Sequence, residues 1–180
     1  MAEIEVLIPE KDVNEVKAIL AGEGVGDPAG WTALLNTYNK LRRPNESLLD
    51  SMKRQSSAYR GQSPQYLKYK TSDQLNNFEF KVNQLLENRV RTFIPDPNWA
   101  YTKHESPTAS KDYNNDFSTM VKVLQRKWGN AVDYRTPIKV GQQYYFKPPS
   151  VNPARAAIIS GQTPEMKAFE YQESLAGKMK

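Results

Sequence analysis

The sequence predicts a mainly α, α+β fold: a bundle of about four to six helices with a small antiparallel β element and extended loops or arms. Three observations lead there. Apolar residues recur at helical spacing in the segments 13–20, 31–41, 75–93 and 117–128. Capping residues, glycines and prolines punctuate the ends of these segments. Only residues 4–8 and 138–147 concentrate β-branched and aromatic side chains in the strand manner. A chain of 180 residues can bury about 70% of its unfolded surface and needs no disulfide or metal to fold.

Ile4, Val6 and Ile8 alternate with Glu3, Glu5 and Leu7 before Pro9, which predicts a short edge strand able to pair with residues 138–147. Asp12, with Glu15 three positions on, opens a helix whose face is Val13, Val16, Ile19 and Leu20, and Gly22 and Gly24 stop it. Asp27-Pro28 is a stronger start: a side-chain acceptor for free amides, then a ring that presets the first helical φ. Trp31, Leu34, Leu35, Tyr38 and Leu41 then form one stripe, with Thr32, Asn36, Asn39 and Lys40 expected to face away. Asn45 is read as the cap of a third helix running to Tyr59 or Arg60, ahead of Gly61. Its later turns carry few apolar residues, which predicts a surface helix or one packed on another chain.

Residues 62–70 read as a Tyr-rich link. Thr71 or Ser72 is then expected to cap the longest periodic segment, with Leu75, Phe78, Val82, Leu85, Leu86, Arg89, Val90 and Phe93 in helical register and Pro95 and Pro97 ending it. Residues 94–110 read as a crossing loop or arm. A helix from about Lys111 to Trp128 follows, built on Phe117, Met120, Val121, Leu124 and Trp128 and closed by Gly129. Ile138, Val140 and Tyr144-Tyr145-Phe146 read as strands around a Gly141-Gln142-Gln143 turn. A mainly helical domain is therefore expected over 1–150, and a C-terminal arm with short helical segments over 151–180.

The residue inventory excludes much chemistry. With no Cys there are no thiolate metal sites and no thiol nucleophile. The single His104 lies in a loop sequence without a nucleophile elbow, and reads as a solvated histidine. Gly22-Glu23-Gly24-Val25-Gly26 follows a helix, not a strand, and reads as a turn rather than a phosphate cradle. Asp112 and Asp116 lie four apart near a helix start, where carboxylates complement the helix dipole without any metal. Pro95-Asp96 and Glu165-Met166-Lys167 resemble fragments of a nuclease site, but their separation and the helix-start context of the second make them a coincidence. No catalytic residue, cofactor or metal is expected. The acidic start and the lack of a long apolar run speak against a leader or a membrane span, so a cytoplasmic or virion protein is expected.

Charge is the more informative feature. Between residues 40 and 70, eight cations, Lys40, Arg42, Arg43, Lys53, Arg54, Arg60, Lys68 and Lys70, face only Glu46 and Asp50, a local excess of +6 in a chain of net charge +5. Tyr59, Tyr66 and Tyr69 interleave them, as rings that stack on bases do in single-strand binding surfaces. The same stretch also suits a plain solvated face. Trp99, Tyr101, Tyr144 and Tyr145 sit in irregular connectors, as rigid rings do where subunits meet, and ordinary loop packing accounts for them equally well. Mean hydropathy is −0.74, low for a compact enzyme. The sequence thus predicts a non-enzymatic subunit of a larger protein assembly or homo-oligomer, of the kind found in the neck, tail or head–tail adaptor of a phage particle. The alternative is a sequence-independent nucleic-acid-binding protein using residues 40–70.

Overall fold

The computed structural model describes residues 7–24 and 26–150. Among them it is mostly helical, with seven α-helices and a small three-stranded antiparallel sheet. The expected strand residues Ile4 and Val6, and the expected arm over 151–180, lie outside the described residues. Leu7 and Ile8 form a bend. The chain divides into two compact units, Met1–Ala100 with Val140–Gln143, and Tyr101–Lys139 with Tyr144–Lys180.

The first unit is built on α1 (Val13–Gly22), α2 (Pro28–Lys40), α3 (Leu48–Gln55), α4 (Ser57–Arg60), α5 (Pro64–Thr71) and α6 (Asn77–Arg91). A 3-10 turn over Glu10–Asp12 runs into α1, so Asp12 is already helical and makes no side-chain cap. Val13, Val16, Ile19 and Leu20 are buried as their spacing requires, and Ala18 and Ala21 widen the buried face. Gly22 ends α1 against two other helices: a Cβ there would lie 3.0 Å from Ala58 Cβ, Ser63 Oγ and Tyr66 Cβ. The close approach of α1 to α5 uses that missing side chain.

Asp27 caps α2 as its position ahead of Pro28 implies, its carboxylate accepting the Gly30 N–H at 2.8 Å. Trp31, Leu34, Leu35 and Tyr38 are buried. Asn36, expected outside, is buried too, and its side-chain oxygen accepts the Asp96 N–H at 2.8 Å. The segment after Phe93 folds back over that side of α2 and supplies the partner a buried amide requires.

The third helix of the sequence reading is two helices. Asn45 adopts a positive φ of 63° in the preceding loop, and Ser47 is the cap of α3, accepting the Asp50 N–H. Ser56 leaves the helical region and caps α4, accepting the Tyr59 N–H. The break turns both pieces onto the core, and Leu48, Leu49, Met52 and Ala58 are buried within this chain. Small residues at Ser51 and Ser56 allow the approach: both are fully buried and hydrogen-bonded, to Tyr38 O and to the Glu23 carboxylate. The expected link 62–70 is helix α5, started by Ser63-Pro64 with the same chemistry as Asp27-Pro28. α6 begins later than expected, because Ser72 takes a left-handed φ of 52° to end α5, and Asn76 and Glu79 form a reciprocal capping box.

The second unit packs α7 (Phe117–Trp128) against a sheet of strand order β1-β3-β2, with β1 over Lys103–Glu105, β2 over Ile138–Val140 and β3 over Gln143–Phe146. β1 falls in the segment read as a loop; it pairs antiparallel with β3, His104 opposite Tyr145. Tyr113, Met120, Leu124, Val132 and Phe146 form the core. Asp116 caps α7 by accepting both the N–H and the hydroxyl of Thr119 at 2.8 Å, which accounts for its place at the helix start. Gly129 ends the helix at a φ of 55°.

Candidate interaction surface

The basic stretch is spread over the end of α2, the α2–α3 loop, and helices α3 to α5, and the structure divides its residues into two groups. In the first group the charge is used internally. Arg54 holds Glu46 through two nitrogens at 2.9 and 2.8 Å, and its guanidinium also donates to Leu41 O at 2.9 Å, closing the α2–α3 loop. That contact, with the Arg43 N–H bonded to the same carboxylate, holds the Glu46 carboxyl far below its ordinary value, at about 2. Lys68 pairs with Glu79, joining α5 to the capping box of α6. Lys70 lies 3.8 Å from Glu15 and over the Tyr66 ring. In the second group, Lys40, Arg42 and Arg60 are exposed and enter no ion pair among the described residues. Arg43 is exposed beside Arg42, and Lys53 sits over the Tyr59 ring.

The tyrosines are not presented as a stacking platform. Tyr66 is fully buried; it packs edge-on against Tyr59 and donates to Glu15 at 2.8 Å, and burial pushes its phenol well above the ordinary range. Tyr69 is buried, and burial raises its phenol as well. Only Tyr59 keeps part of its ring at the surface. Periodicity could have signalled this, since Tyr66 and Tyr69 lie three apart on one face of α5.

The four connector aromatics divide in the same way. Trp99 donates its indole N–H to Thr37 Oγ1 at 3.1 Å, which docks the segment after α6 on α2. Tyr145 is fully buried, with its ring 5.6 Å from that of His104. Tyr144 packs on Phe117, ring centroids 4.5 Å apart, and the Lys139 ammonium lies 5.5 Å from the centroid of the Tyr144 ring. Tyr101 is half-buried. Trp99 thus packs within the first unit and Tyr144 and Tyr145 within the second, and none of the four is largely exposed.

The exposed apolar surface lies elsewhere. On α6, Leu86 and Val90 face the core, whereas Phe78 is 75% exposed and Leu85 59%. Phe80 is also exposed, about 200° around the helix from Phe78 by helical geometry. α6 is clamped from two sides: Glu87 accepts from Lys17 of α1 at 3.0 Å, and Arg89 donates to Thr32 of α2 at 3.3 Å. Between α6 and the junction of α1, α2 and α5 is a cleft of about 370 Å³, lined by Ala21, Trp31, Tyr69, Phe78, Val82 and Leu86. The sequence expectation of a central helix holds for Leu86 and Val90 and fails for Phe78 and Leu85. Phe78 and Phe80 are two residues apart and cannot share one buried face of a helix, which was the available signal.

Among the described residues no group of three or more His, Asp or Glu is placed to hold a metal ion. His104, on β1, is half-buried against Tyr145 rather than free in a loop. No helix of the described residues is long and apolar enough to cross a membrane. No family model, no curated protein and no solved structure matches the chain.

Proposed function

We propose that this protein is a non-enzymatic structural subunit that docks into a larger protein assembly. The observation that carries this reading is the exposure of large apolar side chains on α6, where Phe78 stands in solvent at the rim of a cleft and Leu85 is exposed further along the helix. Large apolar side chains exposed beside a cleft are the kind of surface through which folded chains make contact. A small, cysteine-free, helical chain with polar connectors suits a component of a phage neck, tail or head–tail adaptor, and that is the setting we propose. Sedimentation velocity of the purified chain tests the reading. Species larger than one chain, retained when salt is raised, are expected because apolar contacts do not weaken with ionic strength; a single monomeric boundary throughout counts against it.

A second reading, sequence-independent binding of nucleic acid, is favoured by Lys40, Arg42 and Arg43, exposed together at the end of α2. It is narrower than the charge count suggests, since Arg54, Lys68 and Lys70 are engaged with carboxylates and Tyr66 and Tyr69 are buried. Phosphate contacts from the remaining cations would give weak affinity that falls steeply with salt.

A further inference from the structure

Lys40, Arg42 and Arg43 are exposed close together at the end of α2, and the segment that carries them into α3 is pinned along its backbone. The Arg42 N–H donates to Asn39 O at 3.2 Å. Arg43, Pro44, Asn45 and Glu46 form a tight turn closed by the Glu46 N–H on Arg43 O at 3.1 Å. Proline fixes the first central residue of that turn and Asn45 takes a φ of 63° at the second, the type II arrangement. The Glu46 carboxylate closes the same turn from its side-chain end, accepting the Arg43 N–H at 3.1 Å and two bonds from the Arg54 guanidinium. Arg54 in turn donates to Leu41 O at 2.9 Å, which ties the turn to the last residue before it.

An acid beside exposed cations ordinarily subtracts from their pull on an anion. Here Arg54 takes up the charge of Glu46, while Lys40, Arg42 and Arg43 enter no ion pair among the described residues. A floppy loop of the same composition would lose its freedom on binding, and a turn already held in one form would not. The ligand that suits such a site carries closely repeated negative charge with no cation between. A phosphodiester strand has one charge at every nucleotide, and guanidinium groups meet phosphate oxygens in pairs. We propose that the α2–α3 turn is a pre-formed phosphate-contact site for a nucleic-acid strand. Lys40, Arg42 and Arg43 touch the phosphates, and Glu46 and Arg54 are positioning residues. This inference rests on the nucleic-acid reading and gives an acid in the basic stretch a role opposite to the one its charge alone implies.

Fluorescence anisotropy of a labelled oligothymidylate, titrated with the full chain over a series of salt concentrations, tests the proposal. The set is the wild type, Glu46→Gln, Arg54→Lys, and Asp50→Asn as a charge-matched control, since Asp50 is exposed in the same stretch and enters no ion pair among the described residues. Thermal melts establish that each variant is folded, and Arg54→Lys keeps the net charge should Glu46→Gln be too unstable to use. Affinity should rise in Asp50→Asn, and fall by about threefold or more in Glu46→Gln and Arg54→Lys, because the contacts remain but are no longer pre-formed. Lost positioning moves the line of log affinity against log salt downward without changing its slope, since the number of phosphate contacts is kept. The backbone amide heteronuclear NOEs of Arg42, Arg43 and Asn45 should drop in Glu46→Gln while those of α1 and α5 hold. Affinity that rises in Glu46→Gln as it does in Asp50→Asn, or stays unchanged in Arg54→Lys, overturns the positioning role and leaves the nucleic-acid reading standing. Polyglutamate that competes as well as unlabelled oligothymidylate overturns the nucleic-acid strand as the occupant. A wild type that does not bind at the lowest salt overturns both the inference and the reading beneath it.

Discussion

Glu46 shows how a local charge pattern acquires a structural role that composition hides. It is one of two acids in a basic stretch, and its carboxylate takes three hydrogen bonds, two from Arg54 and one from the Arg43 N–H. Its folded pKa of about 2 lies below the ordinary 4.5. A group lowered in this way contributes stability that is fully present above its unfolded value and is lost as pH falls through the folded one. Comparing urea midpoints of the wild type and Glu46→Gln as a function of pH therefore has a definite expected shape. The difference should be constant above about pH 5 and shrink as pH falls toward 2. A difference that does not vary with pH would mean that the Arg54–Glu46 contact adds nothing through its charge. Arg54 also holds Leu41 O, so it is a poor choice for testing nucleic-acid binding: its loss would disturb the α2–α3 loop itself.

At the scale of single elements, Ser56 separates two accounts of residues 48–60. It caps α4 and donates to the Glu23 carboxylate, which also accepts from the Tyr38 hydroxyl. Replacing it by Ala should destabilise the fold by about 1–2 kcal/mol, the typical cost of a lost cap. One continuous surface helix would respond the other way, since Ala is the better helix former. A denaturant titration of Ser56→Ala reads the sign directly. The elements most legible in the sequence were those with local chemistry at their ends: Asp27-Pro28 for α2 and Gly129 for α7. Ser63-Pro64 carried the same signal as Asp27-Pro28 and was obscured by the tyrosines around it. β1 was illegible for a different reason. Lys103, His104 and Glu105 have no strand pattern of their own, and become a strand only because β3 offers its edge from forty residues away.

For the whole molecule, the sequence supported a mostly helical chain with a small sheet, and the absence of a thiol or a histidine constellation. It did not reveal which polar and aromatic residues remain available at the surface. Charge counts treat Lys40 and Lys68 alike, although one is exposed and the other is bound to Glu79. The two functional readings accordingly differ in their response to salt. If the basic stretch binds nucleic acid, removing Lys40, Arg42 and Arg43 together should reduce the slope of log affinity against log salt by about 2–3. An unchanged slope in a fluorescence titration with single-stranded DNA would exclude these residues as phosphate contacts. The assembly reading requires no such slope. Light scattering of the full chain, at low and high salt and with and without single-stranded and duplex DNA, tests it most directly. The expected result is a mass above the 20.6 kDa of one chain that rises with protein concentration, survives high salt and does not depend on DNA. A mass of one chain under every condition, or growth seen only with DNA at low salt, would contradict it.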